Sequence, residues 1–379
     1  MMINSIGVPK MEEGQTLKSE KLLKGKGRGS NFCVIDKSEW KRLWTVPTKN
    51  RMNLVIAYIV LLVGTGNDHK LTKWSAKACE DHVGIGKPRA KKAIEELIGS
   101  KFITHTEESK RLKPQYEICN PADPEDENPI FLPNQIVTGL AKENSMLRRV
   151  KETGDPLALK LFIETYAGIE LDRTFGLPAS KLKKFNNKQS ARKISEIGTH
   201  AIWALPMINC TSFGEGFGYE YLNEHEEPES FWDRLRLLEK VNAVYFDYWV
   251  FDSNADDAEP LFPIDPSVFY SSTFTPNAEA ELTRKVMEVS ALLTSEMPYL
   301  TEQYYGDLIV AFPAHMQPPA VMGVAKPFVE ADTPGRRMTY AKRRSRVEQY
   351  LDAYERLAKD VAEGRYDRPL LVNYELEAA

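Results

Sequence analysis

Cysteine is scarce in this chain, and its four residues, Cys33, Cys79, Cys119 and Cys210, never form a CxxC pair. Such scatter fits a reducing compartment and excludes a disulfide scaffold or a zinc ribbon. Cys79 and His82 have the spacing of two metal ligands, but no second pair accompanies them and core packing explains both. The motifs of catalysis are missing as well: there is no HExxH, no GxSxG, no Walker A and no GxGxxG after a strand pattern. The six histidines lie far apart, and none belongs to the His-hydrophobic-His pair that rolling-circle nicking enzymes use. Asp256 and Asp257 sit in a loop where solvation accounts for them, and Tyr340 and Tyr350 lack the Arg/His constellation of a recombinase. The expectation is a protein with no catalytic residues, no cofactor and no metal.

Long apolar runs are lacking too. The longest, residues 54–63, is too short for a membrane span, which needs about 20 residues. Residues 1–30 are polar and basic with no apolar centre, so no signal peptide is expected and the location reads as cytoplasmic. Neither sign of charge dominates: 50 Lys and Arg face 54 Asp and Glu, a net charge of −4. Any surface for a polyanion must therefore be local. No internal repeat or low-complexity tract stands out. At 379 residues, two or three domains are the natural expectation.

What is present divides the chain into five segments. Residues 1–37 read as a flexible basic arm, rich in Lys, Gly and Ser. Its KGKGRGS end is also of the kind that lies in a minor groove. Residues 38–120 form a first folded unit and residues 121–149 a linker, centred on the acidic, proline-rich PADPEDENP. Residues 150–253 form a second unit, and 254–379 a C-terminal α+β region.

The first unit is the most informative. Residues 53–63 are apolar on every side and predict a buried helix. The GTGNDHK that follows lacks the Gly-Lys-Ser/Thr ending of a phosphate loop. Residues 72–82 predict a short positioning helix. In VGIGKPRAKKAIEELIGSKFI, residues 83–103, Ala90, Ile94, Leu97 and Ile98 recur at helical spacing. Gly84 and Gly86 make the turn before that helix, and Pro88 suits its start. The other face begins with Lys87, Arg89, Lys91 and Lys92 and ends with Glu95 and Glu96. A helix dipole favours the opposite order, by about 0.3–1 kcal/mol per charge. Lys91–Glu95 and Lys92–Glu96 are also in the weaker i,i+4 orientation. A helix that pushes its first turn toward phosphates has this order; an ordinary solvated helix is the plain alternative. Residues 102–106 and 115–119 predict two strands joined by a tip that carries Lys110, Arg111 and Lys113.

Leu71-Thr72, a small-residue helix, the turn glycine Gly84, a basic helix with Ala90, Ala93, Ile94 and Leu97, and the Phe102-Ile103 exit together resemble winged-helix regulators of the GntR and related types. Gly86 departs from that pattern where a Ser/Thr cap is usual, and Lys101 where a glycine is usual. The resemblance implies an α+β fold with a winged helix-turn-helix. It implies that Lys87, Arg89 and Lys91 face a major groove, while Lys92, Lys110, Arg111 and Lys113 hold phosphates.

The second unit is expected to be a degenerate winged helix, with a generic α+β domain as the alternative. Its helices are expected at 156–167, after the N-cap Asp155, at 177–185, carrying Lys181, Lys183 and Lys184, and at 231–241, with a strand at 244–251. Two such domains in tandem resemble the arrangement of certain plasmid replication initiators. Further on, 276–298 predicts a helix and 307–313 and 320–329 strands. A last helix has the apolar stripe Val347, Leu351, Tyr354 and Leu357. Arg336, Arg337, Lys342, Arg343, Arg344 and Arg346 precede it as the densest basic cluster. They read as a second phosphate contact, or as partners of the chain's own acidic loops. The whole reads as a cytoplasmic, sequence-specific binder of double-stranded DNA, either a transcriptional regulator or a plasmid or phage replication initiator. A homodimer is compatible with this. The alternative is a winged-helix scaffold that meets protein partners through its acidic loops and C-terminal helix.

Overall fold

The computed structural model describes residues 32–65, 68–110, 113–122, 129–139, 144–168, 176–178, 191–197, 200–205, 228–253, 255, 258–265, 278–295, 307–314, 317–327 and 334–365. The fold is mixed α and β with small open sheets. Strand β1 (Phe32–Ile35) leads into α1 (Lys37–Thr45), where the Asp36 carboxylate accepts the Glu39 amide at 2.8 Å. Helix α2 (Arg51–Val63) is buried from Leu54 to Val63 without a break. Being apolar all round, it needs neighbours on every side. They are β1, α3 (Ala76–Val83), α4 (Lys87–Gly99) and, later in the chain, α5 (Gln135–Thr138) and α7 (Pro156–Ala167). Gly64 ends α2 beside Trp74; a Cβ there would lie 2.3 Å from Trp74 Cγ, so no side chain fits.

Strand β2 (Leu71–Thr72) precedes α3, and β3 (Ile103–His105) and β4 (Tyr116–Ile118) follow α4. The three strands form an antiparallel sheet in the order β2-β4-β3. Helix α4 buries Ala90, Ala93, Ile94 and Leu97, while Ile98 is half-buried. Its exit settles the question raised by Lys101. That residue takes the left-handed backbone itself, at φ 57°, and the Phe102 amide returns to the Leu97 carbonyl at 3.0 Å. A non-glycine residue there costs about 1–2 kcal/mol. Burial of Phe102 offsets it, and so does Arg42, which donates to the Ser100 and Lys101 carbonyls at 2.8 and 3.1 Å.

The segment expected to be a linker belongs to this same core. Strand β5 (Ile130–Pro133) pairs antiparallel with β1, from Phe32↔Pro133 to Ile35↔Ile130. Helix α5 and then α6 (Met146–Glu152) continue it, and Ile130, Leu132, Ile136, Val137, Met146, Leu147 and Val150 are all buried. Only residues 123–128 and 140–143 of that segment lie outside the described residues. The arm is likewise shorter than expected, because residues 32–35 are strand; residues 1–31 lie outside the described residues.

Helix α7 starts at Asp155, which accepts the Leu157 amide at 2.8 Å and pairs with Arg234 at 2.9 Å. Then come β6 (Leu177–Pro178), β7 (Arg192–Ile197), β8 (His200–Leu205), α8 (Pro228–Lys240), β9 (Val244–Phe251) and β10 (Pro260–Ile264). The chain continues with α9 (Ala278–Thr294), β11 (Leu308–Pro313), β12 (Ala320–Pro327) and α10 (Pro334–Ala362). Two antiparallel sheets result, β10-β9-β12-β6 and β11-β8-β7.

Two sequence expectations are corrected here. The boundary drawn at 253 cuts both sheets: β9 pairs with β12 along its whole length, and β8 pairs with β11. Among the described residues, the helix–helix–helix–strand order expected for 150–253 is not seen either. Helices α7 and α8 do pack together, but three strands lie between them, and Leu177–Pro178 is strand rather than helix. The apolar run of β9 needs strand partners, and one of them lies about seventy residues downstream, beyond the reach of any local pattern.

A charged cluster ties α9 and α10 to the larger sheet. The Lys326 ammonium, 1 % exposed, donates to Asp247 Oδ2, which also accepts from Arg343 at 3.1 Å and from the Trp249 indole at 3.2 Å. Arg343 Nε stands 2.7 Å from Glu279 Oε1, an ion pair in which the N–H is not aimed at the oxygen. Both cations lie near the Trp249 ring, at 5.5 and 5.1 Å from its centroid. Burial pulls the Lys326 pKa from its ordinary 10.5 down to about 8, against the attraction of Asp247. Below pH 8 the fold must bury the charged ammonium. Between pH 8 and 10.5 the unfolded chain holds a proton that the folded chain has lost, so stability rises with pH. The stability of the parent relative to Lys326→Met is expected to be flat below pH 8 and to rise by about 2–3 kcal/mol toward pH 10.5, measured by denaturant titration. A flat difference across that range would contradict the assignment.

Candidate nucleic-acid interface

Helix α3 is capped by Ser75, whose hydroxyl accepts the Lys77 amide at 3.3 Å. It ends at Gly84, which takes φ 66° so that the Gly84 amide returns to the Glu80 carbonyl at 3.0 Å and the Ile85 amide to the Cys79 carbonyl at 3.1 Å. Ile85 then buries its side chain, and Gly86 starts α4 with no side-chain cap. No acid occupies the first turn of α4. Its front therefore combines the positive end of the dipole with its own bases.

Lys87, Arg89, Lys91 and Lys92 are all exposed, and none forms an ion pair among the described residues. The i,i+4 partner available to Lys92 is engaged elsewhere: Glu96 accepts the Thr48 hydroxyl at 2.7 Å. The opposite face of α4 is fixed against α2 and α3 by Ala90, Ala93, Ile94 and Leu97. At the far end, the Arg42 guanidinium stacks 3.7 Å over the Phe102 ring. The result is a rigidly mounted helix with a free basic front.

The β3–β4 hairpin closes through paired backbone bonds between Lys110 and Lys113, at 3.2 and 2.9 Å. Both lysines are exposed, while Arg111 lies outside the described residues. Ser109 braces the tip by accepting the Gln115 amide at 3.1 Å and meeting His105 Nδ1 at 3.0 Å. The His105 and Tyr116 rings pack at 5.0 Å.

Other predicted contacts fare differently. Lys181, Lys183 and Lys184 lie outside the described residues, as do the side chains of Arg336 and Arg337 in the first turn of α10. Arg343 is corrected: its guanidinium turns inward to Asp247 and Glu279 and is not a surface contact. Arg344 is exposed and pairs with Glu348 at 2.8 Å. Arg346 reaches the Pro260 carbonyl at 3.5 Å.

Sequence reasoning missed α6, hidden inside the supposed linker. Ser145 caps it by accepting the Arg148 amide, and Met146, Leu147 and Val150 give it a readable apolar face. It lies across the α3–α4 turn. The Ser145 hydroxyl donates to the His82 carbonyl at 2.9 Å, and the Lys151 ammonium donates to the Val83 and Gly84 carbonyls, each at 2.8 Å.

Among the described residues, no group of three His, Cys, Asp or Glu could hold a metal ion. Cys79 is buried, with its thiol pushed up to about 12 by desolvation, and the His82 ring stacks on Trp74 at 4.7 Å. Burial likewise raises the Tyr350 pKa, and the Tyr354 hydroxyl donates to the Ala311 carbonyl at 3.1 Å. No described helix is long and apolar enough to cross a membrane. No protein-family model matches the chain, and neither curated proteins nor solved structures give a match.

Proposed function

We propose that the protein is a cytoplasmic, sequence-specific duplex DNA-binding protein in which residues 38–120 form a winged helix-turn-helix. In this reading α3 is the positioning helix, α4 enters the major groove and the β3–β4 hairpin is the wing. The succession α2, β2, α3, α4, β3, β4 and the sheet order β2-β4-β3 support it. The observation that carries it is the front of α4, where Lys87, Arg89, Lys91 and Lys92 stand exposed with no acidic partner among the described residues. Lys87, Arg89 and Lys91 meet base edges. Lys92, Lys110, Arg111 and Lys113 hold backbone phosphates. Function follows from placement on DNA without a chemical step. A transcriptional regulator and a plasmid or phage replication initiator both act this way.

Selection from a random duplex pool tests the reading. The full chain is expected to enrich one short sequence family, with discrimination of about 1–3 kcal/mol per base pair read. A pool recovered with its sequence distribution unchanged would overturn sequence-specific binding and leave the exposed bases to a protein partner.

A further inference from the structure

Helix α6 brings a second set of bases to the front of α4. The Arg148 guanidinium lies over the α3–α4 turn: a Cβ at Gly84 would meet its Cζ and Nε at 3.4 Å. Lys151 is bonded to the two carbonyls of that turn, so α6 and the start of α4 are held in one frame. Burial lowers the Lys151 pKa, and the nearby positive charges of Arg148 and Arg89 push it the same way against Glu152. Three cations from two helices therefore share one small region.

We infer that α6 is a third arm of the DNA contact, in which Arg148 meets a backbone phosphate beside the groove that α4 enters. This rests on the proposed reading of α4. The chain stores like-charge repulsion at this corner, and a polyanion relieves it. The ion pair that Arg148 makes with Glu152 is long, 3.4 Å, and both side chains are substantially exposed, at 39 % and 53 %. Exposed pairs of this kind hold little energy, so the guanidinium is free to exchange its partner. The patch reaches Arg89, whose charge acts on Lys151, and this commits it to the same duplex. Lys151 serves as a positioning residue, because its ammonium is already used by the turn.

The test is the affinity of the full chain for its selected duplex, followed by fluorescence anisotropy from roughly 50 to 200 mM salt. Arg148→Gln is expected to make the log–log salt slope shallower by about 0.9. It should also weaken specific and non-specific duplexes alike, by about five- to tenfold, with an unchanged thermal midpoint. Glu152→Gln, which frees the guanidinium, is expected to leave the slope unchanged and to tighten binding slightly. If Arg148→Gln keeps the parent's slope and affinity while reversal of Lys87 and Arg89 still removes binding, α6 makes no contact and the inference alone falls. If the parent binds no duplex at any salt, the reading of α4 falls and takes the inference with it.

Discussion

The double exchange Lys87→Glu and Arg89→Glu is expected to reduce affinity for the selected duplex by at least about a hundredfold. Each base contact is worth about 1–3 kcal/mol, and the new acids add repulsion from the phosphates. Stability is expected to move the other way. Both side chains are exposed, and the buried face of α4 is untouched. Acids in the first turn also suit the helix dipole, by about 0.3–1 kcal/mol each. The variant should therefore melt at or above the parent's temperature while losing its DNA. A variant that binds as the parent does would show that these residues are not the contact.

Asp247→Asn is expected to destabilise the chain by about 3–5 kcal/mol, read as a loss of unfolding free energy in denaturant. The carboxylate holds Lys326, Arg343 and the Trp249 indole together. Without its charge, an almost fully buried ammonium faces a guanidinium with Glu279 as the remaining described acid. Removing the stranded cation as well should recover most of the loss, so Asp247→Asn combined with Lys326→Met is expected to be much closer to the parent than Asp247→Asn alone. Equal losses in the single and double variants would mean that packing at Asp247, and not charge, governs the site.

The contrast between these two sites explains what the sequence could convey. Around α4 every signal is local: the spacing of Ala90, Ile94 and Leu97, the glycines of the turn and the bases that follow them. Residues a few positions apart settle the local structure there, and the bases are exposed. The cluster around Asp247 depends on residues far apart; Arg343 stands 96 positions from Asp247. One clue was available. Arg343 precedes Val347 by four residues and so lies in line with the stripe that continues through Leu351, Tyr354 and Leu357. Within a run of bases, its charge suggested surface, whereas its position marked the inner face. The same bias hid α6 and β5. The acidic prolines of 121–129 have the composition of a linker, whereas Ile130, Leu132, Leu147 and Val150 just beyond them complete the core around α2. Strand pairing between β9 and β12 left no local mark at all, because each strand taken alone is simply an apolar run.

The salt dependence of duplex binding by the intact chain tests the central claim most directly. Lys92, Lys110, Arg111, Lys113 and Arg148 amount to about five neutralised phosphates, and the account predicts a slope of log affinity against log salt of about −4.5. A slope near zero, or no measurable binding at low salt, would contradict it.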